Sequence, residues 1–393
     1  MANKQLDEIT SARKARIAKL RRKRFTVFLL VCVVLIVFYL VVTSYSEIAS
    51  KDFKDILHTV FAAGSYPIEL PDSVTMVEKN EQAAVLLTDT SIKTVKGSGA
   101  VIYEAAHGIT SAELASRAGR IVVYSQSGKS YKVYNRSSLL SQGNTEFEIA
   151  GAAVVSSGRY CLLTRGDEYT SELHVYNKDT TKRFTWYGTD GFPLDVIASE
   201  SGDTVLVSSM KSAEGRLYTV LTVINTASQK EESTFSVEGL YVDAVLDGDD
   251  ILLVLDTKAA SFKKDGKLQW TYEYGGKQLL KVAHQEGNNL AICFGDNTRS
   301  EINTIVVLNR KLSQQMHEEF RKEVHGMWLD PDELYVLSRG KVYVYSLTGS
   351  LRKTYTCSTS ADYLFEWGGP VVLESQFAVK LTDPDAAENT YES

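Results

Sequence analysis

The chain is poor in the residues that usually mark a metal, redox or catalytic centre. Its 393 residues include four cysteines, six histidines and six prolines. Cys32, Cys161, Cys293 and Cys357 lie far apart, with no Cys-x-x-Cys spacing and no nearby histidine pair, which argues against a zinc site and against a disulfide-stapled body. Cys161 and Cys293 sit in strand-like apolar runs and read as buried free thiols. There is no Gly-x-Ser-x-Gly elbow, no glycine-rich phosphate loop opening a helix and no His-Glu-x-x-His. The histidines are scattered, and His107, His174, His284 and His325 each read as structural residues in or beside a strand. Proline is scarce while tyrosine reaches 21, a balance that suits many short strands.

Charge is unevenly spread. Residues 1–24 carry nine Lys/Arg and two acids, a net of +7, which leaves −13 for the rest of a chain whose total is −6. An acidic body lacks the clustered positive charge that phosphate backbones demand, so no nucleic-acid partner is expected. Directly after the basic tail, residues 25–45 form a 21-residue run without a charged side chain. About 20 apolar residues cross a hydrocarbon core. The run is too long for a signal-peptide core and lacks a small-x-small cleavage site, so it reads as a transmembrane helix and anchor in the cell membrane. The preceding Lys/Arg cluster predicts a single-pass protein with a cytoplasmic N-terminus and an extracytoplasmic body.

Residues 46–65 follow as a juxtamembrane stalk. Phe53, Ile56, Leu57, Val60 and Phe61 recur at the spacing of one helix face, and Gly64 and Pro67 end the pattern. This amphipathic helix is expected to lie on the body or on the membrane surface.

From residue 66 to 382 the sequence repeats. A turn between two apolar runs recurs eight times, near Asn80, Gly119, Gly158, Gly202, Gly248, Gly287, Asp332 and Gly368, at a mean interval of about 41 residues. A second, more polar hairpin recurs seven times between them, and an eighth begins at residues 377–381 without its last strand. Residues 66–70 can supply the missing strand. The fold class expected is therefore all-β, an eight-bladed β-propeller closed by pairing strands from the two ends of the chain, with a seven-bladed ring as the alternative. Residues 383–393 read as a disordered tail. "FKKDGKLQWTYEYGG" (residues 262–276) looks by itself like a quinoprotein repeat. Compared with its sister hairpins it is the outer turn of the fifth blade, and Trp270 is expected to bury itself between blades. "LDGDD" (residues 246–250) holds an equivalent turn position to an acid-free one, so calcium is not expected there.

Candidate functional residues come from the polar links between second and third strands, because propeller loops carry binding. Those links point to Arg165, Asp167, Glu168, Arg216, Asp296 and Arg299 as a binding face. No catalytic residue, metal ligand or cofactor is identified. Carboxylates are plentiful, and a glycosidase pair cannot be recognised by spacing on such a fold.

In repeat form the body resembles quinoprotein-like and WD-type propellers. The whole plan, with "LLTDTSIKTV" (residues 86–95) and "GKSYKVYN" (residues 128–135), resembles a family of membrane-anchored extracytoplasmic propellers from clostridia and other Firmicutes that has no assigned activity. The resemblance implies architecture and supplies no active-site residue. The resemblance to quinone enzymes of the propeller type would require a metal-binding acid and Asn set and stacking groups on the axis, which cannot be assigned to residues of this sequence, so no quinone is expected. The function expected is a binding or scaffolding module of the cell envelope, contacting the lipid bilayer through one span and a protein or cell-wall ligand outside. An envelope glycan hydrolase or lyase using carboxylates near the axis is the alternative. Three or more convergent acids with raised pKa in the channel would favour the enzyme, and a mixed-charge face with aromatic patches would favour binding.

Overall fold

A computed structural model of the chain describes residues 21–37, 39, 47–199, 201–284, 289–295, 302–374 and 376–382. It separates into two compact units, Met1–Ile56 and Leu57–Ser393. In the first unit residues 21–37 are helical. Among the described residues no helix is long and apolar enough to cross a membrane. The expected span at 25–45 runs onto residues 38 and 40–45, which lie outside the described residues, as do most of the basic tail and all of 383–393. A helix over Glu47–Phe61 matches the expected stalk, with Lys51 and Glu47 paired at 2.9 Å one turn apart. In its last turn Leu57, Val60 and Phe61 are exposed, while Thr59 is buried.

The second unit is an eight-bladed propeller of eight four-stranded antiparallel sheets. Seven blades take their strands consecutively, beginning with Val74–Asn80, Ala83–Thr88, Ser91–Lys96 and Val101–Ala106 in blade 1. The eighth is built from both ends of the propeller. Ala361–Glu366, Pro370–Glu374 and Phe377–Lys380 form three strands, and Ile68–Glu69 adds the outermost one by pairing Ile68 with Ala378 and Glu69 with Phe377. Closure removes the free edge that Phe377–Lys380 would present in an open ring. It also brings Ile68, Leu70 and Val371 into one core with Leu86 and Val95 of blade 1.

The sequence pattern follows from this stacking. The two middle strands of a blade are covered on both faces by neighbouring blades, so they read as continuous apolar runs. Ala83–Thr88 is buried at every position. Outer strands face solvent on one side and alternate, as in Val101–Ala106. Neighbouring blades are also joined by polar latches. The Asn80 amide donates to Ser116 Oγ at 2.8 Å and to the Arg120 carbonyl at 2.9 Å, and Gly119 N–H donates back to Asn80 Oδ1 at 3.0 Å. Arg120, 1% exposed, carries the chain onward by donating to the Lys178 carbonyl of blade 3 at 2.9 Å.

The outer turn of blade 5 is where the repeat placed it, with Gly266 at φ +84°, a left-handed conformation open to glycine. Trp270 is a correction. It lies on the outermost strand and is 45% exposed, with Lys311 of blade 6 near its ring. In the "LDGDD" turn, Asp250 is held by Lys263 at 2.6 Å and by Arg310, so its charge is already answered.

Candidate functional site

The strands carry side chains to two different places, the loop face and the axial channel. The loop face is made by links between second and third strands together with the blade-to-blade connections. Blade 4 dominates it. Its middle strands Thr204–Ala213 and Arg216–Asn225 run for ten residues each, while the first strand pairs only as far as Met210. The surplus forms a projecting hairpin whose tip, Glu214 and Gly215, has positive φ at both positions, the geometry of a tight two-residue turn.

Around this hairpin the expected cations are already paired. Arg165 forms an ion pair with Glu148, and its guanidinium lies 4.5 Å from the centre of the Phe192 ring. Arg216 pairs with Glu238 at 3.1 Å and Lys211 with Asp190 at 2.6 Å. Asp167, Glu168 and Glu214 are exposed and have no ion pair among the described residues. Between the charges lies an apolar surface: Tyr169 and Tyr187, whose ring centres are 4.7 Å apart, then Phe192, Leu217 and Leu240, all exposed. Gly239 N–H donates to the Leu217 carbonyl at 3.0 Å and ties the hairpin to the following connection. Arg165, Asp167, Glu168 and Arg216 thus share one face over blades 3 and 4. Asp296 and Arg299 lie outside the described residues. Phe192, Leu217 and Leu240 were not anticipated. Their one sequence signal is an apolar residue where a link should be polar.

The channel is lined by the first strand of each blade. In blades 1, 3, 4, 5, 6 and 8 that strand skips one residue in its register with the second, for example between Pro193 and Asp195 and between Tyr241 and Asp243. Such a bulge re-aims the side chain that follows it. In blades 4 and 5 the re-aimed residue is an aspartate with the same two-part support. Asp195 accepts the Val196 N–H at 2.7 Å and the Tyr241 hydroxyl of the next blade at 2.9 Å. Asp243 accepts the Ala244 N–H at 2.8 Å, and His284 Nε2 of the next blade lies 3.3 Å from its other oxygen. Gly151 makes room for Asp195, because a Cβ there would come within 2.9 Å of the carboxylate oxygen.

Asp195 and His284 border a cavity of about 910 Å³ with Glu78, Arg117 and Asp330, and Asp243 borders a second of about 610 Å³ that shares Glu78, His284 and Trp328 with the first. Burial in the wall pushes the Glu78 carboxyl up to about 8, against the opposing pull of the Ser116 N–H and the Arg117 charge. Burial also raises Asp195 to about 6, although the Tyr241 and Val196 hydrogen bonds work the other way. Asp330 is raised too, by burial and then by the nearby Glu366 charge. His284 is therefore part of the channel wall. His107 fits the structural role, with Nε2 3.0 Å from the Thr88 carbonyl and Nδ1 accepting the Ile109 N–H at 3.1 Å. All four cysteines are free, Cys161 and Cys293 buried among them. Among the described residues no three His, Cys, Asp or Glu side chains are placed to hold a metal ion.

Comparison with solved structures finds the same ring elsewhere. The C-terminal WD40 domain of Sif2 is 12% identical, with 82% of this chain and 99% of that chain covered and a TM-score of 0.57. Sqt1 from Saccharomyces cerevisiae is 10% identical, with 82% and 100% covered and a TM-score of 0.52. At such identities the likeness is one of fold. No curated protein matches the chain. Residues 63–373 match the family of unknown function DUF5711, and the chain belongs to that family.

Proposed function

We propose that this chain is a protein-binding module whose docking surface is the loop face over blades 3 to 5. The exposed cluster of Tyr169, Tyr187, Phe192, Leu217 and Leu240 carries this reading. Aromatic and aliphatic side chains grouped on one face, rather than scattered singly, are what a protein contact buries. Arg165, Arg216 and Lys211 are each paired while Asp167, Glu168 and Glu214 have no ion pair among the described residues, so the charge left over around the blade 4 hairpin is negative. The complementary partner carries apolar anchors flanked by lysine or arginine. The apolar run at 25–45, preceded by the basic tail, tethers the module to the cell membrane with the propeller on the extracytoplasmic side, where the partner is a protein or a component of the wall.

The test is co-purification of the tagged, detergent-solubilised full chain from its native membrane. A Phe192→Ala/Leu217→Ala double variant should lose its partner at least tenfold, while Leu351→Ala, at an exposed outer-strand position, should retain it. If the proteins recovered match those from a span-only control, the module reading fails.

A second reading draws on the channel. Glu78, Asp195 and Asp330 border one cavity, and burial raises all three carboxyl groups, the convergent set from which an acid–base pair can be drawn. This favours an envelope glycan hydrolase or lyase. Incubation of the full chain with cell-wall glycan should then release new chain ends, and Glu78→Gln should abolish the release. No release by the unaltered chain removes this reading and leaves the first untouched.

A further inference from the structure

The stalk helix exposes its apolar side. Ile56 is 55% exposed, Val60 61% and Phe61 77%, and Leu57 lies beside them at 41%. On a helix these positions form a single stripe, and Thr59, off that stripe, is buried at 3%. The helix has therefore used its polar side for packing, the reverse of what an amphipathic helix does on a water-soluble body. Its last turn is fixed to blade 1: Lys96 Nζ donates to the Val60 carbonyl at 3.3 Å and to the Ala62 carbonyl at 3.4 Å. A Cβ on Gly64 would come within 2.9 Å of the Ala100 backbone, so the segment after the helix lies hard against that blade. Val101, the next residue of the blade, is itself exposed at 39%.

We infer that the stripe of Leu57, Val60 and Phe61, with Val101 beside its anchoring point, is a lipid-contacting surface seated in the interface of the bilayer. The inference rests on the tether proposed above and goes further, since it assigns a second membrane contact to the propeller unit itself. Three observations select lipid over a protein occupant. The helix begins two residues after the uncharged run at 25–45, so a span there delivers it to the membrane surface without any affinity of its own. The stripe holds no charged or hydrogen-bonding side chain, whereas the loop face interleaves its apolar residues with ion pairs. Lys54 and His58, both exposed, flank the stripe, where their ends can reach the headgroups while the apolar side chains enter the acyl boundary. Because Lys96 and Gly64 fix the last turn to blade 1, contact at Phe61 holds that blade to the membrane and limits how the ring can turn about its tether.

The test uses the full chain in phosphatidylcholine–phosphatidylglycerol vesicles, with Cys32 and Cys357 changed to serine and single spin labels at Phe61→Cys, Val60→Cys or Leu351→Cys. Cys161 and Cys293 are buried and stay unlabelled. Labels at 60 and 61 should be several-fold less accessible than the one at 351 to a water-soluble relaxant, and more accessible to dissolved oxygen. Equal water-soluble access at 61 and 351, in a chain that floats with the vesicles, overturns this inference and leaves the tether standing. Failure to float overturns both. Strong dipolar broadening between labels at 61 assigns the stripe to a second copy and overturns the lipid assignment.

Discussion

The channel wall and the loop face are built from the same residue types, and they use them in opposite ways. In the wall the aspartates of blades 4 and 5 are each held by the next residue's N–H and by a side chain of the next blade. Asp195 is fixed by its neighbour's N–H, by Tyr241 of the next blade and by the absence of a side chain at Gly151. On the face the pair between Arg216 and Glu238 spans 3.1 Å, but its side chains are 63% and 52% exposed. An exposed pair of that kind contributes about 0–1 kcal/mol, whereas a buried carboxylate that loses a donor costs about 1–3 kcal/mol. The contrast divides the labour. Polar groups in the wall hold blades in register, so they resist change. Polar groups on the face float over finished hairpins, so they are free to be tuned for a partner.

The strongest way to break that division is to crowd the wall. Gly151→Val should cost about 3 kcal/mol, because overpacking alone costs about 1–3 kcal/mol and the new side chain also drives Asp195 away from its donors. Denaturant unfolding of the purified chain measures it, and a loss below about 1 kcal/mol would show that the wall yields as easily as the face. Tyr241→Phe is the milder cut. It removes one donor and leaves the shape, so the expected loss is about 1–2 kcal/mol, read by the same titration.

Acidity separates the two regions without any change of shape. Glu78 holds its proton up to about 8 in the fold, against 4.5 when free. As pH rises between those values the unfolded chain gives up a proton that the folded chain keeps, so stability falls. Asp195 acts in the same sense but is finished by about 6. His174, lowered by burial to about 4, acts in the opposite sense and is finished by its ordinary value of 6.5. The window from 6.5 to 8 therefore reports Glu78. The midpoint of thermal unfolding should decline across it, and Glu78→Gln should flatten the decline. An identical slope in the variant would mean that the wall does not hold Glu78 protonated.

How much of this was legible in the sequence follows from how local each signal is. The blade count was readable because every inner hairpin needs a turn residue, and those near Asn80, Gly119 and Gly368 recur at blade spacing whatever the rest of the blade does. The closing strand at Ile68 and Glu69 was readable as a gap in that repeat. Arg165 and Arg216 could be assigned to one loop face because they lie beside such turns. Phe192 and Leu217 were not, since the same residue types fill the blade cores and a one-residue bulge at Pro193–Asp195 shifts which side of the strand faces out. The tie between Asp195 and Tyr241 joins residues 46 apart in different blades, and neither carries a local mark of the other. Trp270 failed for a related reason, because blade membership does not tell which face of an outer strand meets its neighbour.

Arg216→Ala is the smallest expected effect on the fold and the sharpest test of the division. Its guanidinium touches one exposed carboxylate, and its strand continues into a core that includes Leu221 and Val223, both fully buried. Removing it should change stability by less than about 0.5 kcal/mol. It should nonetheless leave Glu238 without a counter-charge on a face that already has unpaired Asp167, Glu168 and Glu214. A partner bearing lysine or arginine should then bind the variant faster at low salt, and the gain should shrink as salt screens it. Association rates measured against ionic strength with the partner recovered by co-purification decide the matter: a slower rate in the variant would mean that Arg216 itself meets an acidic group, and the charge assigned to the partner would have to be reversed.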